Sequence, residues 1–150
     1  MSGYGYRLDT KPYVGGALET KVLLEGLSLP KKKLDDVTAG IYHAGRESRQ
    51  WVDSPEYGVP FISGSDLQKT DLSGLPYLSK QQVAGKPSFL VRKGYTLITR
   101  SGTIGKMAYC RGEMDGMACS EHVMRVVPDT NKIPPGYLSV SSGCCDRRLS

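Results

Sequence analysis

The residues that could do chemistry are concentrated in one short segment, "LITRSGTIGK" (97–106). A phosphate-binding P-loop requires G-x-x-x-x-G-K-[ST], followed by a helix whose first amide groups bind the phosphate. Here Arg100 stands where the first glycine should be, and Met107 follows Lys106. The residues after the lysine, "MAYCRGEM", indicate a strand rather than a helix. The sequence therefore excludes a nucleotide-binding loop of this kind.

The same segment predicts a glycine turn between two strands, "TLIT" and "KMAYC". Gly102 and Gly105 can supply positive φ, and the hydroxyl side chains between and beside them can bond their own backbone. Small residues also let a backbone approach a phosphate closely. The turn carries four side chains that suit contacts with a DNA backbone: Arg100, Ser101, Thr103 and Lys106.

A second group of candidate residues lies in "IYHAGRESRQWVDSPEYG" (41–58), a polar segment without clear periodicity. This pattern predicts a long loop, and long loops in small domains are often functional. Arg46, Arg49 and Gln50 are side-chain types that read base edges, arginine on guanine and glutamine on adenine. The alternative is an ordinary solvent-exposed loop, and the sequence leaves both interpretations open.

Catalytic and metal-binding motifs are missing from the sequence. Two histidines, His43 and His122, are too few for most metal sites, and no pair of the four cysteines has the C-x₂-C spacing of a zinc site. Glu121 and His122 look like half of a catalytic dyad, but no nucleophile motif accompanies them. A lone histidine beside a strand is more often structural. We therefore expect no catalytic residue, no metal and no cofactor.

Composition and charge narrow the class of protein. The 150 residues fit one domain, and the net charge of +5 is spread evenly, without a basic tail or helix. This charge is compatible with nucleic-acid binding but is weak support for it. The N-terminus has no apolar signal segment, and no apolar run approaches a membrane span. We expect a cytoplasmic protein with reduced cysteines and no membrane segment.

Eighteen glycines and nine prolines favour a loop-rich mixed or mainly β fold over a helix bundle. One short helix is predicted within 16–30, where Gly26 and Pro30 would stop it, and a helical turn near 79–83. Short β-branched and aromatic runs bounded by glycine predict strands. These predicted strands are 59–63, 88–91, 96–99, 106–110 and 122–128.

Five segments follow one another in a specific order: "LDDVTAGIY" (34–42), "GVPFISGSDL" (58–67), "LVRKGYTLITRSGTIGKMAY" (90–109), "ACSEHVMRVVPD" (118–129) and "PPGYL" (134–138). This series resembles the target recognition domain of the DNA specificity subunit of Type I restriction-modification enzymes. The resemblance covers more than two thirds of the chain. Its most specific element is "TRSGTIG" followed by "ACSEHVMRVVP".

The resemblance implies an α+β fold with a twisted, mainly antiparallel sheet, short helices and long loops. It implies a lead-in over 1–33, a recognition domain over 34–138 and an atypical tail over 139–150. Such a domain has no catalytic role and reads one half of a bipartite target in double-stranded DNA. The implied partners are double-stranded DNA and the adenine methyltransferase (modification) subunit, with the restriction subunit as a further candidate.

The chain departs from the family in two respects. It has one recognition domain where the full subunit has two, and its end, "GYLSVSSGCCDRRLS", differs from the apolar helix and long spacer helix that usually follow "GYL". The tail is compatible with a truncation or with a different reading frame appended to a broken gene, and either one puts methyltransferase docking and pairing into a full specificity unit in doubt. The alternative function is therefore a non-DNA-binding interaction module or a truncated remnant of a specificity subunit. An independent nuclease or methyltransferase is disfavoured by the missing motifs.

Overall fold

A computed structural model of the protein describes residues 17–102 and 104–139. The chain divides into two units, residues 1–32 and residues 33–150. The described part of the first unit contains helix α1 (Ala17–Gly26), which confirms the short helix predicted within 16–30 and its end at Gly26. After the helix, the Lys31 ammonium donates a hydrogen bond to the Glu25 carbonyl at 2.7 Å. No helix in the described part of the chain is long and apolar enough to cross a membrane.

The second unit contains two four-stranded sheets and the short helix α2 (Lys80–Val83). Its strands are β1 (Thr38–Tyr42), β2 (Trp51–Val52), β3 (Gly58–Ile62), β4 (Tyr77–Ser79), β5 (Thr96–Thr99), β6 (Met107–Tyr109), β7 (Ala118–Cys119) and β8 (Val123–Pro128). The predicted α+β class is confirmed, as are the helical turn near 79–83 and the strands predicted at 59–63, 96–99, 106–110 and 122–128.

The first sheet has the order β1-β8-β5-β6, and all its pairs are antiparallel. Strands β5 and β6 form the predicted hairpin, in which Leu97 pairs with Ala108. Gly102 has φ of 75° and Gly105 has φ of 87° in the turn between them. Both values lie in the left-handed region, which a residue with a Cβ adopts only with strain. The glycines therefore have the conformational role that the sequence predicts.

The second sheet has the order β2-β4-β3-β7, with one parallel pair, β3 and β7. Gly58 begins β3 where the backbone passes close to two side chains. A Cβ at this position would lie 2.4 Å from the Cβ of Tyr77 and 2.7 Å from a methyl carbon of Val52. Non-bonded carbon atoms do not approach one another so closely, so the close approach of β3 to its neighbours requires glycine.

Three sequence predictions are corrected here. The structure has two sheets where one was predicted. The strand predicted over 88–91 is wrong, because Pro87–Phe89 forms a 3₁₀ turn and Leu90 makes a single bridge to Ala118. Proline fixes φ in a range that suits the first turn of a helix, and this local preference outweighs the apolar run after it. The loop predicted over 41–58 is interrupted by the end of β1, by β2 and by the start of β3.

The largest core cluster lies between the two sheets. Its buried residues include Ile62 of β3, Leu97 of β5, Cys119 of β7 and Val123 of β8. Cys119 is a free thiol, as is the buried Cys110. Burial raises the pKa of Cys110 to about 12 and that of Cys119 to about 11, so both remain protonated and unreactive at neutral pH.

Arg125 on β8 is completely buried. Its guanidinium donates hydrogen bonds to the carbonyls of Cys119 at 2.6 Å, Val123 at 2.7 Å, Ser120 at 3.0 Å and Phe89 at 3.2 Å. Burial lowers the pKa of Arg125, but an arginine side chain stays charged in proteins. Carbonyl dipoles therefore stabilise a buried charge, and the contact with Cys119 ties the first sheet to β7 of the second.

We expect Arg125→Met to lower the free energy of unfolding by about 3 kcal/mol, because four main-chain carbonyls lose the hydrogen bond from the buried guanidinium. Urea unfolding measured by circular dichroism tests this. The matched control is Arg92→Met, which removes an exposed guanidinium. Equal unfolding midpoints for the two variants would contradict a structural role for Arg125.

Candidate functional site

The two groups of residues that the sequence singled out lie around one turn, the segment between β7 and β8. The Arg49 guanidinium donates to the Glu121 carboxylate at 2.8 Å. From the other side, the Ser101 hydroxyl and His122 Nδ1 share a hydrogen bond of 2.5 Å, and the Arg100 N–H donates to the His122 carbonyl at 2.8 Å. The structure thus brings the polar loop and the hairpin turn together through two residues of a third segment.

Three cavities adjoin this turn. The first, of about 520 Å³, lies between the hairpin, the turn after β3 and Arg49, and Lys106 lines it. The second, of about 610 Å³, is lined by Arg46, Arg49 and Glu121. The third, of about 370 Å³, is lined by Arg46, Arg100 and Glu121. Cationic and hydroxyl groups converge on these cavities, so the surface suits an anionic or hydrogen-bonding ligand.

Helix α2 holds the polar loop in place. The amide of the buried Gln82 donates to the Ser48 carbonyl at 2.7 Å, and its oxygen accepts from the Gln50 N–H at 2.9 Å. The Lys86 ammonium, just beyond α2, forms an ion pair with Glu47 at 2.6 Å. These contacts fix the backbone on both sides of Arg49, so the loop presents its arginines from an anchored main chain.

Arg49 is held from several directions. Besides its bond to Glu121, its guanidinium reaches the Ser120 hydroxyl at 3.4 Å. The guanidinium carbon lies 4.8 Å from the ring centroid of Phe61 and 5.9 Å from that of Trp51, within range for cation–π attraction. The two rings meet edge to face at 5.1 Å. Arg49 is therefore a positioned group, with 31% of its side chain exposed.

The Glu121 carboxylate is a negative charge that lines two of the three cavities, and Glu47, paired with Lys86, also lines the second cavity. Burial alone would raise its pKa, but the hydrogen bond from Arg49, a backbone hydrogen bond and the nearby charges of Arg49 and His122 outweigh that effect and lower it. Glu121 is therefore ionised at neutral pH. Its other oxygen lies 3.4 Å from Nε2 of His122.

Ser101, His122 and Glu121 follow the order of a nucleophile, a base and an acid in hydrolases. A histidine so placed can accept a proton from a serine hydroxyl. However, the Glu121 carboxylate lies closer to Arg49, at 2.8 Å, than to His122, at 3.4 Å. The carboxylate is therefore shared between Arg49 and His122.

The remaining predicted residues differ in their placement. Arg46 and Arg100 are exposed, and Lys106 is half-buried beside the first cavity. The Lys106 N–H donates to the Thr99 hydroxyl at 2.9 Å, which fixes the end of the hairpin turn. Gln50 is exposed, and its main chain anchors the loop. Thr103 lies outside the described residues, as does the predicted tail from residue 140 onward.

The partnership of Glu121 with Arg49 is not predictable from the sequence. The two residues stand 72 positions apart, and no spacing rule connects them. The available signal was the pair Glu121-His122 directly before a strand, which the sequence analysis noted only as half of a dyad. Among residues 17–102 and 104–139, no group of three or more His, Cys, Asp or Glu could hold a metal ion.

Comparisons with known proteins give no further assignment. No protein-family model matches the chain, and a search of curated proteins finds no match.

The lowered pKa of Glu121 makes a pH-dependent contribution to stability. Because the folded-state pKa lies below the ordinary value of 4.5, the contribution is fully present above that pH and is lost as pH falls through the folded-state pKa. We expect the difference in unfolding free energy between wild type and Glu121→Gln to be present at neutral pH and to shrink as pH falls through the folded-state pKa of Glu121. Urea titrations across pH measure it.

Glu113→Gln is the matched control, because it removes a carboxylate from an exposed pair with Arg111 at 2.8 Å. A wild-type advantage over Glu121→Gln that persists undiminished in acid would show that the ionised carboxylate contributes nothing.

Proposed function

We propose that this chain is a sequence-specific DNA-binding domain that reads one half of a bipartite target in a Type I restriction-modification system, without a catalytic role. One observation carries the proposal. The arginine-bearing loop and the hairpin turn, far apart in sequence, meet at the turn between β7 and β8. The result is one concave surface with guanidinium, ammonium and hydroxyl groups, the donors that proteins use on duplex DNA.

The arrangement suggests which residues would contact bases and which would contact the DNA backbone. Arg46 and Arg100 line the same cavity and are both exposed, so a base-reading arginine and a backbone-binding arginine lie side by side. Lys106 and Ser101 flank the neighbouring cavity and suit phosphate oxygens. In this proposal Arg46, Arg49 and Gln50 read base edges, and Arg100, Ser101, Thr103 and Lys106 hold the backbone.

The ordered segment series supports the finer assignment of a target-recognition-domain-like fold. Two of its segments, "TLITRSGTIGKMAY" and "ACSEHVMRVVP", correspond to β5–β6 and β7–β8, the strand pairs that surround the site. On the same basis we propose a cytoplasmic protein whose protein partner is the adenine methyltransferase subunit, with the restriction subunit as a further candidate. The alternative function is an interaction module or remnant that binds no DNA.

The Ser101–His122–Glu121 arrangement favours a second function, group transfer at Ser101. In that reaction the serine oxygen would attack an electrophile while His122 takes its proton. The contact between Arg49 and Glu121 argues against group transfer, because the Glu121 carboxylate is shared with Arg49 and interacts less strongly with His122.

For the main proposal, we expect Arg46→Ala and Arg49→Ala to weaken binding to a selected duplex site more than binding to mixed-sequence duplex. The reason is that base-edge contacts carry sequence information, worth about 1–3 kcal/mol for a bidentate arginine–guanine pair. The site is obtained by selection from a randomised duplex library, and affinities are measured by fluorescence anisotropy. Equal losses on both duplexes would remove the base-reading role.

Lys106→Ala is the matched comparison, because it removes a cation from the same surface. It should weaken binding to every duplex and make the slope of log affinity against log salt shallower by about 0.9. An unchanged slope would count against a phosphate contact. Absence of binding of wild type to any duplex at low salt would favour the interaction module.

For the second function, we expect a fluorophosphonate probe to leave the protein unlabelled, as measured by intact mass spectrometry. Labelling would require Ser101 to attack phosphorus, fluoride to leave and His122 to accept the serine proton. An adduct on wild type that is lost in Ser101→Ala would contradict a non-catalytic role and support group transfer. A known serine hydrolase in the same reaction confirms that the probe is active.

A further inference from the structure

Glu121 places a negative charge within a cluster of positive charges. It lines one cavity with Arg46 and Arg49 and the adjoining cavity with Arg46 and Arg100. Its side chain is 17% exposed, so it lines these cavities without being fully solvated. A carboxylate on a surface that binds a polyanion opposes the binding. On a surface that binds DNA, repulsion between Glu121 and the phosphate groups must therefore be part of how the surface selects its contacts.

The carboxylate acts first on Arg49. One guanidinium nitrogen, Nη2, donates to Glu121 at 2.8 Å and reaches the Ser120 hydroxyl at 3.4 Å. The guanidinium carbon lies over the Phe61 ring, 4.8 Å from its centroid. An arginine carries five N–H donors in a rigid plane. The N–H groups of Arg49 that do not contact Glu121 therefore keep their fixed geometry, while the carboxylate balances much of the positive charge of the guanidinium.

We propose that Glu121 is a specificity-determining residue that makes Arg49 a reader of guanine edges and a poor ligand for phosphate. This inference rests on the proposed function of duplex binding. Arg49 is the positioned reader, and Glu121 acts through it.

The physical basis is the difference in charge between the two ligands. A phosphate oxygen brings a negative charge beside Glu121, so Arg49 must exchange one anion for another and gains little. A guanine edge presents the O6 and N7 acceptors and has no net charge. It can accept hydrogen bonds from Arg49 while the bond to Glu121 stays in place. Repulsion from the carboxylate thus discriminates against the phosphate contacts that dominate non-specific binding.

Removing the charge of Glu121 should release Arg49 to the DNA backbone. Each phosphate that a protein neutralises contributes about 0.9 to the salt slope, which corresponds to about a 3.5-fold change in affinity between about 50 and 200 mM salt. On mixed-sequence duplex, we therefore expect Glu121→Gln to show a slope steeper by about 0.9 than wild type. Its preference for the selected site over mixed-sequence duplex should fall by a similar factor.

Two variants separate this effect from a general change in charge. Glu113→Gln makes the same charge change by removing the partner of Arg111, outside the three cavities, and should leave the slope on mixed-sequence duplex near that of wild type. In Arg49→Met, the additional Glu121→Gln substitution should no longer steepen the slope. A steeper slope in the double variant would overturn the inference, because Glu121 would then act without Arg49.

Arg49→Met alone keeps the test valid if Glu121→Gln does not fold. Arg49→Met should lose preference for the selected site while keeping the wild-type slope on mixed-sequence duplex. A slope shallower by about 0.9 would mean that Arg49 already holds a phosphate, which overturns the inference. Circular dichroism and urea midpoints establish which variants are folded.

The outcomes distinguish this inference from the function on which it rests. If wild type binds duplex with steep salt dependence and selects a site, but Glu121→Gln leaves slope and preference unchanged, the inference alone fails. If wild type binds no duplex at any salt concentration, the proposed function fails and the inference fails with it.

Discussion

The buried guanidinium of Arg125 is the interaction on which the rest of the second unit depends. A charge without access to water must have hydrogen-bond partners, and here they are four main-chain carbonyls. Those carbonyls belong to the turn at Phe89, to the end of β7 and to the segment that leads into β8. Because all of them must point at one cation, the path of three separate segments is fixed, together with the contact between the sheets.

The candidate site is built on that fixed segment. The backbone between β7 and β8 is held from inside by Arg125, and its outward side chains Glu121 and His122 hold the two flanking loops. The loop with Arg49 comes from one direction and the hairpin with Ser101 from the other. The site is thus preorganised by contacts at its centre, which lowers the entropy that ordering two loops would otherwise lose on binding.

Local patterns in the sequence predicted what depends on local physics. Strands β5, β6 and β8 and the positive φ of Gly102 and Gly105 follow from short β-branched and aromatic runs bounded by glycine, and the structure confirms them. The 3₁₀ turn at Pro87–Phe89 was missed because an apolar run is common to strands and other buried segments.

Pairing between distant segments was beyond the reach of such patterns. Strand β1 pairs with β8, which lies about 80 residues later in the chain, and no local sequence pattern in either strand identifies the other. The candidate site shows the same limit. The residue types of Arg46, Arg49 and Gln50 suggested a recognition loop, but the carboxylate that holds Arg49 lies 72 residues away. Only the folded chain shows that this arginine has an internal partner.

In the segment between β7 and β8, main-chain groups and side chains make different contacts. Carbonyls of Cys119, Ser120 and Val123 hold Arg125, and the His122 carbonyl holds the hairpin through Arg100. Every amino acid supplies a carbonyl, so these contacts do not depend on which side chains stand at 121 and 122. The main-chain anchors of this segment can therefore persist when side chains at 121 and 122 change, so a substitution there alters the loop contacts without removing the attachment of the segment to Arg125.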